Sequence, residues 1–459
     1  MSIKEREARW MRERFTGVQH TTLNPEGPGV VRIHLVPPRE GEDEVSVVIL
    51  NGQDVIPVGR AWSILLSAFI EEVNRYSGKP VSDADVEQIL KQTCRQVRSV
   101  YPLLSGKRIR EDVYKMMNAF RQIAKGETPE EDVPFLSLGD YAPCMRAPHR
   151  MDLMVSAMTR GGAWHCNQKC VHCYAAGQTC AEEEELSTAQ WKTIIDRCRD
   201  ACIPQLTFTG GEPTLRPDLP ELVEYAAWFV TRLNTNGIAL TPELCRALHD
   251  ASLDSLQITF YSADEAVHNA LVGAQGYAST VAGIENALAA GLNLSINTPL
   301  CTRNRDYRST LEFLYEKGVR YVTCSGLITT GAAATAPSEA LQLTTDEIKA
   351  VLREAVEYCY ANGMEISFTS PGWVEPEFCE ELAITTPSCG ACLSNMAVTP
   401  GGNVVPCQSW LSDAPLGNLL TDDWSAIWDS EACKARREES AKMLGLCPLR
   451  RGAKEGGDC

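Results

Sequence analysis

Residues 161–174 read Gly-Gly-Ala-Trp-His-Cys-Asn-Gln-Lys-Cys-Val-His-Cys-Tyr and carry the strongest chemical signal in the sequence. The thiols of Cys166, Cys170 and Cys173 have the spacing Cys-x3-Cys-x2-Cys. Three thiolates can each bind one iron of a [4Fe–4S] cluster, which normally takes four. The fourth iron would stay open to a ligand unless Cys180, the nearest other thiol, binds it. A structural zinc site or three unrelated buried thiols are the alternatives, but zinc favours paired knuckles and no second knuckle is close by.

A glycine turn follows one predicted strand later. Residues 205–213 read Gln-Leu-Thr-Phe-Thr-Gly-Gly-Glu-Pro, a β-branched and aromatic run that ends at Gly210 and Gly211. Glycines let a backbone approach a ligand closely, and Glu212 offers a carboxylate to an ammonium group. Alone, such a turn would be ordinary.

Together the two segments resemble the motifs of the radical S-adenosylmethionine (SAM) enzymes, Cys-x3-Cys-x-aromatic-Cys and a Gly-Gly-Glu element. The resemblance implies a [4Fe–4S] cluster whose open iron chelates SAM, and an external one-electron reductant. Cleavage of SAM would give a 5′-deoxyadenosyl radical that abstracts hydrogen from the substrate, while the protein orients the reactants and excludes water. The residues implied are Cys166, Cys170 and Cys173 for the cluster, Gly210, Gly211 and Glu212 for SAM methionine, and His172 in the aromatic position.

Composition limits the class of protein. The 459 residues suffice for two or three domains. The absence of a long apolar run and of an N-terminal signal region predicts a cytoplasmic protein without a membrane span. In such a protein, 19 cysteines indicate metal binding or catalysis rather than disulfides, and a net charge of −17 argues against broad nucleic-acid binding. The acidic run 182–185 predicts a solvated face before a helix capped by Ser187.

Between residues 152 and 370, strand-like and helix-like stretches alternate, which predicts βαβ units and a parallel sheet. The fold class is therefore α/β, and six such units match the partial (β/α)6 barrel of the radical SAM family, with active groups at the carboxyl ends of the strands. The predicted strands are 152–158, 205–209, 231–236, 255–262, 293–300, 321–327 and 364–370. The predicted helices lie near 188–202, 219–229, 241–251, 280–290, 306–317 and 344–362.

The first 125 residues predict a β-hairpin, with a turn at Asn51-Gly52 and a short third strand from Val55, followed by three amphipathic helices. The apolar faces of these helices include Trp62 and Val86. This winged-helix-like module resembles the peptide-recognition domains of peptide-modifying radical SAM enzymes, where a peptide adds as a strand to the hairpin edge. A stability domain with a solvated basic face and, last, a DNA-binding module are the alternatives. Residues 126–150 read as a linker.

Polar residues at the ends of the third and fourth predicted barrel strands are further candidates. The resemblance implies that such residues hydrogen-bond the ribose and carboxylate of SAM, which selects Asn236 and Ser262. An Asn-Gly turn and a strand-end cap are the structural alternatives. Asn297 and Thr298, at the end of the fifth strand, are weaker candidates for the same role.

The C-terminal region has a second group of cysteines. Cys392, Gly402 and Cys407 have the spacing Cys-x9-Gly-x4-Cys across a predicted hairpin. This spacing and Leu416-Gly417-Asn418 resemble the SPASM or twitch extensions, which hold auxiliary Fe–S clusters. The pair that the full pattern has near Cys447 is missing, since the positions concerned are Leu444 and Arg450, so one auxiliary cluster is expected. A zinc site is the rival assignment. The ligands implied are Cys389, Cys392, Cys407 and Cys447.

Two cysteines near the predicted active face, Cys301 and Cys324, could return a hydrogen atom to a substrate radical, although free cysteine is more often a core residue. The chain as a whole is predicted to be a radical SAM peptide maturase that acts on a ribosomally made precursor, giving a thioether or carbon crosslink or an epimerised residue. The alternatives are a radical SAM enzyme acting on a non-peptide cofactor precursor and a non-catalytic Fe–S redox sensor. The predicted parts are the module 1–125, the linker 126–150, the barrel 151–370 and the auxiliary-cluster region 371–459.

Overall fold

The computed structural model describes residues 1–23, 31–38, 46–52, 54–76, 79–335, 340–443 and 446–450. The chain divides into two compact units, Met1–His149 with Asp200–Pro204, and Arg150–Arg199 with Gln205–Cys459. Within the described residues, none of the helices combines the length and the apolar content that crossing a bilayer requires.

The first unit contains a four-stranded antiparallel sheet in the order β1–β2–β3–β4, with helices packed on it. The predicted turn is present, because Asn51 and Gly52 both have positive φ (48° and 73°) between β3 and β4. The elements α1 and β1 were not predicted from the sequence. The elements are α1 (Ile3–Arg14), β1 (Gln19–Leu23), β2 (Val31–Val36), β3 (Ser46–Leu50), β4 (Asp54–Val58), α2 (Arg60–Asn74), α3 (Asp83–Val100), α4 (Gly106–Ala124) and α5 (Leu138–Tyr141).

Three expectations for this unit need correction. The hairpin strands β2 and β3 are both interior, since β1 pairs with β2 and β4 pairs with β3, so neither presents an edge to a peptide. Trp62 (41% exposed) and Val86 (38% exposed) do not join the core. The predicted linker is partly structured, because α5 forms in it and the Leu136 amide donates a hydrogen bond to the Val55 carbonyl of β4 (2.9 Å).

The second unit is built on one sheet that has ten strands within the described residues, in the order β13–β12–β11–β10–β9–β8–β5–β14–β15–β16. All seven predicted barrel strands are present and their neighbours run parallel. The large strands are β5 (Arg150–Ser156), β8 (Gln205–Gly210), β9 (Val230–Thr235), β10 (Ser255–Thr259), β11 (Leu294–Pro299), β12 (Tyr321–Ser325) and β13 (Glu365–Phe368). The short ones are β6 (Thr159–Arg160), β7 (Ala163–Trp164), β14 (Asn395–Val398), β15 (Asn403–Val405) and β16 (Gly417–Asn418).

Helices connect the parallel strands, as βαβ units require. Each predicted barrel helix is present. Among the described residues between β5 and β13, one further α-helix, α9, was not predicted. It begins after the N-cap residue Asp264. The helices are α6 (Thr188–Asp200), α7 (Leu219–Tyr225), α8 (Pro242–Asp250), α9 (Glu265–Val272), α10 (Tyr277–Ala289), α11 (Tyr307–Glu316), α12 (Thr345–Ala361), α13 (Pro376–Glu381), α14 (Trp424–Trp428) and α15 (Glu431–Lys442).

The C-terminal hairpin belongs to the barrel sheet. As predicted, β14 and β15 pair antiparallel across a Pro-Gly-Gly turn. In addition, β14 runs parallel to β5, with Asn395 opposite Arg150 and Val398 opposite Leu153. The hairpin that follows Cys392 is therefore hydrogen-bonded to the strand that precedes the cysteine triplet.

The acidic run 182–185 is not a simple solvated face. Glu183 accepts hydrogen bonds from the Thr399 hydroxyl, the Gly401 amide (3.0 Å) and the Asn403 side-chain amide (2.9 Å). Glu185 accepts from the Ala157 amide (2.9 Å). Two of the four acidic residues therefore fix the C-terminal hairpin and the end of β5, and only Glu182 and Glu184 are exposed.

Candidate functional site

The loop with the cysteine triplet is held by the C-terminal end of α9. The amides of Lys169 and Val171 donate hydrogen bonds to the carbonyls of Val272 (2.9 Å) and Leu271 (3.0 Å), which a helix end leaves without partners. Gly273 ends the helix in the left-handed region (φ 62°), and a Cβ there would lie 2.4 Å from the Lys169 carbonyl oxygen. The loop and the C-terminal end of α9 are therefore held together by backbone hydrogen bonds and by a close contact at Gly273 that leaves no room for a side chain.

The three thiols of the triplet are half-buried and interact electrostatically with one another. Burial, with smaller contributions from the nearby carboxylate of Glu212 and the thiol of Cys173, raises the pKa of Cys166 to about 12. Burial likewise raises the pKa of Cys170 and of Cys173. The Cys166 thiol lies 3.3 Å from the carbonyl oxygen of Gly211, so the triplet meets the glycine turn directly. Because metal ligation needs thiolates, cluster binding at this site must release protons.

The two glycines of the turn are required by the neighbouring strand. A Cβ on Gly210, whose φ is 138°, would lie 2.2 Å from the Ser156 carbonyl oxygen, and one on Gly211 would lie 2.6 Å from the Ala157 carbonyl oxygen. The Gly211 amide donates to the Ser156 carbonyl (2.7 Å). The two glycines therefore approach the backbone at the end of β5. This contact brings the turn beside the loop that carries Cys166, Cys170 and Cys173, here called the cysteine loop.

Glu212 is a buried carboxylate that joins two strand ends. It accepts hydrogen bonds from the amide (3.0 Å) and hydroxyl of Thr214, from the Thr235 hydroxyl (2.6 Å) and from the Asn236 amide (2.8 Å). Burial raises the pKa of this carboxyl, whereas the hydrogen bonds from Thr214 and Thr235 act in the opposite direction. In this geometry the carboxylate fixes the ends of β8 and β9 to each other.

The other candidate SAM contacts also have local partners. Asn236 donates from its side-chain amide to Asn167 of the cysteine loop (2.6 Å) and accepts from the Ile238 amide (3.0 Å), which is the expected Asn-Gly turn. The Ser262 hydroxyl accepts from the Asp264 amide (3.1 Å), just before α9. His172 is 7% exposed and lies 3.1 Å from the Tyr261 hydroxyl.

A polar row across the barrel strands joins Asn297, a predicted candidate, to Gln257 and Thr323, which were not predicted as site residues. The Gln257 side-chain amide donates to the Thr323 hydroxyl (3.2 Å), which donates to the Asn297 side-chain oxygen (2.9 Å), so the row spans β10, β11 and β12. Alternate residues on the other face of the same strands are apolar and buried. Alternation of polar and apolar residues along these strands is the signal that could have found this row.

The two barrel cysteines differ in their surroundings. Cys301 is fully buried and packs in one apolar cluster with Tyr261 and Leu271, to which Cys170 also packs. Burial raises the pKa of Cys324, and its electrostatic neighbour is Cys359 of α12. Cys324 therefore lies among core residues, and Cys301 is the thiol nearer to the triplet.

The C-terminal thiols also come together. Cys389, Cys407 and Cys447 interact electrostatically, and burial raises the pKa of Cys407 to about 12. Cys392, which has a positive φ of 55°, donates its amide to the Pro406 carbonyl (3.1 Å) and so sits beside Cys407. All four predicted auxiliary ligands therefore belong to one neighbourhood. Cys459 lies outside the described residues.

Sequence reasoning missed Cys433 on α15. Its thiol shares a hydrogen bond with Cys392, which raises the pKa of Cys392 and lowers that of Cys433. The guanidinium of Arg437, one helical turn later, lies 3.7 Å from the Cys433 sulfur and stacks over Trp428 at 3.8 Å. The position of Cys433 fits no cysteine spacing motif, so only the packing of α15 reveals its contact with Cys392.

The side chains present fit iron–sulfur clusters in their chemistry. Both groups offer soft thiolate donors, which Fe–S clusters select, and the triplet offers three where a closed cluster takes four. Among the described residues, no three His, Cys, Asp or Glu side chains already converge in a finished coordination sphere.

Two family models match the chain. The radical SAM superfamily matches residues 165–314, and SPASM, an iron–sulfur cluster-binding domain, matches residues 389–450. These ranges contain the cysteine triplet and the C-terminal thiols respectively.

Related proteins agree with these matches. A PqqA peptide cyclase of Streptomyces rochei is 28% identical over 273 residues, which is 57% of this chain and 72% of that protein. An Fe-coproporphyrin III synthase of Methanosarcina barkeri (strain Fusaro) is 30% identical over 195 residues, which is 42% of this chain and 48% of that protein. This chain thus spans about half the length of the second relative.

The fold has a counterpart among solved structures. Streptococcus suis SuiB, in a crystal structure bound to the precursor peptide SuiA, covers 86% of this chain and 87% of its own, with a TM-score of 0.56 and 12% identity. The domains matched imply an enzyme that uses SAM and a [4Fe–4S] cluster, with an auxiliary cluster in the SPASM region. The chain therefore contains a radical SAM domain at residues 165–314 and, after its partial barrel, a SPASM domain at residues 389–450.

Proposed function

We propose that this enzyme is a peptide maturase, which crosslinks or epimerises residues of a ribosomally made precursor. The observation that supports this most is the likeness to SuiB, which covers 86% of the chain. Residues 150–459 alone make up a smaller share of the chain, so the likeness also includes part of the first unit. The similarity to a peptide cyclase agrees with it. An external one-electron reductant and the precursor peptide are the partners of this reaction.

We propose the metal and SAM sites from the two sequence motifs, and the contacts among their residues support the proposal. When bound, the cluster at the triplet and SAM supply a radical that abstracts hydrogen. The chain's own residues orient these groups: the glycine turn fixes the end of β5 against the cysteine loop, and Glu212 locks β8 to β9. The assigned residues are Cys166, Cys170 and Cys173 for the cluster; Gly210, Gly211, Glu212, Asn236, Ser262 and His172 for SAM; and Cys389, Cys392, Cys407 and Cys447 for the auxiliary cluster.

The first unit is assigned to docking of the precursor. With β2 and β3 interior, the strand we assign to peptide addition is β4, which has β3 on one side and, in the described residues, a single backbone hydrogen bond from Leu136 on the other. Main-chain hydrogen bonds at a strand edge supply affinity without demanding one sequence.

The decisive experiment is anaerobic reconstitution with iron and sulfide, followed by SAM and dithionite. We expect 5′-deoxyadenosine from the wild type and none from the variant Cys166→Ala/Cys170→Ala/Cys173→Ala, which keeps the iron of the SPASM region. Incubation with a short peptide encoded beside the gene should then change the mass of that peptide. No 5′-deoxyadenosine from iron-loaded wild type would overturn the enzymatic function.

A second candidate is the same chemistry on a tetrapyrrole precursor, which the 30% identity to an Fe-coproporphyrin III synthase favours. The two functions differ in what the reconstituted full chain consumes. Formation of Fe-coproporphyrin III from a tetrapyrrole precursor, with the peptide unchanged, would favour the second candidate over the first.

A further inference from the structure

The side chain of Tyr261 connects β10 to the cysteine loop. Tyr261 follows β10 and is 5% exposed. Its ring packs in one apolar cluster with Cys170, whose pKa a hydrogen bond from the Tyr261 hydroxyl acts to lower, and the hydroxyl lies 3.1 Å from Nε2 of His172. The tyrosine and histidine rings meet edge to face, with centroids 5.1 Å apart and an interplanar angle of 72°. One phenol therefore contacts two residues of the Cys-x3-Cys-x2-Cys motif.

The backbone holds this phenol in place from both sides. The Asn304 side-chain amide donates to the Tyr261 carbonyl (2.9 Å), and the Tyr261 amide donates to Nδ1 of His268 (3.4 Å). Leu271 and Val272, at the end of α9, pack in the same apolar cluster as the Tyr261 ring and Cys170. The Tyr261 ring is thus fixed in position, and the other polar side chain at the Cys170 sulfur is Gln168, whose Oε1 lies 3.6 Å from it.

The direction of the hydrogen bonds follows from the donors that each group has. A cysteine thiolate on iron has no proton and can only accept. Tyr261 must then donate its one proton to the Cys170 sulfur, and the phenol oxygen is left to accept from His172. This requires the proton of the neutral imidazole to lie on Nε2, which leaves Nδ1 as an acceptor, and Nδ1 is buried without a hydrogen-bond partner in the described residues.

We propose that Tyr261 is a positioning residue that donates a hydrogen bond to the Cys170 thiolate, with His172 orienting its hydroxyl, and so raises the reduction potential of the cluster at the triplet. Hydrogen bonds to cluster sulfurs are among the factors that set Fe–S potentials. A donor stabilises the reduced cluster more than the oxidised one, since reduction adds negative charge that the sulfurs share. The inference rests on the proposed assignment of Cys166, Cys170 and Cys173 as ligands.

The test is a redox titration of the reconstituted full chain followed by electron paramagnetic resonance. The signal of the cluster at the triplet is recognised by its change on addition of SAM. Tyr261→Phe should reduce the equilibrium constant for one-electron reduction about tenfold, which is a potential lower by ~59 mV. The matched control is Tyr277→Phe, which removes a hydroxyl bonded only to the Ala263 carbonyl (2.9 Å) in the described residues and should leave the potential unchanged.

A second substitution keeps the proposal testable if Tyr261→Phe does not fold. 3-Fluorotyrosine at position 261 is nearly isosteric and a stronger donor, so the potential should rise rather than fall. A potential equal to that of the wild type in both substituted proteins, with the SAM-responsive signal intact, would overturn the role of Tyr261 alone. Loss of the SAM-responsive signal from wild type as well would instead overturn the ligand assignment.

Discussion

At the scale of single residues, the glycine turn shows how a motif that looks like ligand chemistry is also a packing requirement. Gly210 and Gly211 have no room for a Cβ because the carbonyls of Ser156 and Ala157 occupy that space. Glu212 then uses its carboxylate to hold Thr235 and the Asn236 amide. The motif therefore builds the strand ends at which SAM would be bound, before any contact with SAM is considered.

Gly210→Ala should lower the free energy of unfolding by roughly 2–4 kcal/mol, because a Cβ there meets backbone atoms that cannot move aside and the φ of 138° is unfavourable for alanine. The measurement is urea unfolding followed by circular dichroism. The control is Gly17→Ala, where nothing lies within 4 Å of a Cβ, with an expected change within about 0.5 kcal/mol. Equal stability of the two variants would contradict the packing argument.

At the scale of elements, the site depends on segments that are distant in sequence. The cysteine loop rests on the end of α9, and the C-terminal hairpin is fixed by Glu183 from the acidic run. Because β14 pairs with β5, the hairpin that follows Cys392 is also a continuation of the barrel sheet. The two thiol groups are thereby attached to opposite ends of the same strand pair.

Glu183→Ala should destabilise the C-terminal hairpin by roughly 2 kcal/mol, since its carboxylate accepts three hydrogen bonds from the hairpin turn. Limited proteolysis at low protease concentration should cut the region near residues 399–403 faster in the variant. Glu184→Ala, an exposed position in the same run, is the control and should be cut at the wild-type rate. Equal rates for both variants would show that Glu183 does not anchor the turn.

At the scale of the whole molecule, buried histidines make stability depend on pH. Burial lowers the pKa of His149 in the first unit and of His268 in the second to about 4. The unfolded chain binds these protons near pH 6.5, so stability is fully present above that pH and is lost as pH falls from about 6.5 toward 4. Each histidine can account for up to roughly 3 kcal/mol of this loss.

The midpoint of urea unfolding should therefore decrease between pH 7 and pH 4.5. The midpoint for His268→Gln should decrease less steeply over this interval than the midpoint for the wild type, whatever the stability of the variant at pH 7. His249→Gln, at a side chain that is 56% exposed, is the control and should follow the wild type. Parallel curves for His268→Gln and His249→Gln would exclude the buried imidazole as the cause.

Much of this architecture could be predicted from the sequence because its signals are local. Hydrophobic period, glycine turns and cysteine spacing act over a few residues, and they located the seven parallel strands, the hairpin after Cys392 and the triplet itself. α9 was missed because its eight residues continue directly from the strand-end turn capped by Asp264, without a break in the sequence pattern.

The sequence by itself determined that this chain is an α/β protein with thiols spaced for an open-iron cluster and a second thiol group after a hairpin. Only the tertiary structure decided which side chains meet: Tyr261 with Cys170, Glu183 with the turn at Gly401, and Cys433 with Cys392. The physical reason is the sequence separation of the residues that interact. Turns and periodicity depend on neighbours in sequence, whereas these contacts join residues between 41 and 218 positions apart, brought together by sheet order and helix packing.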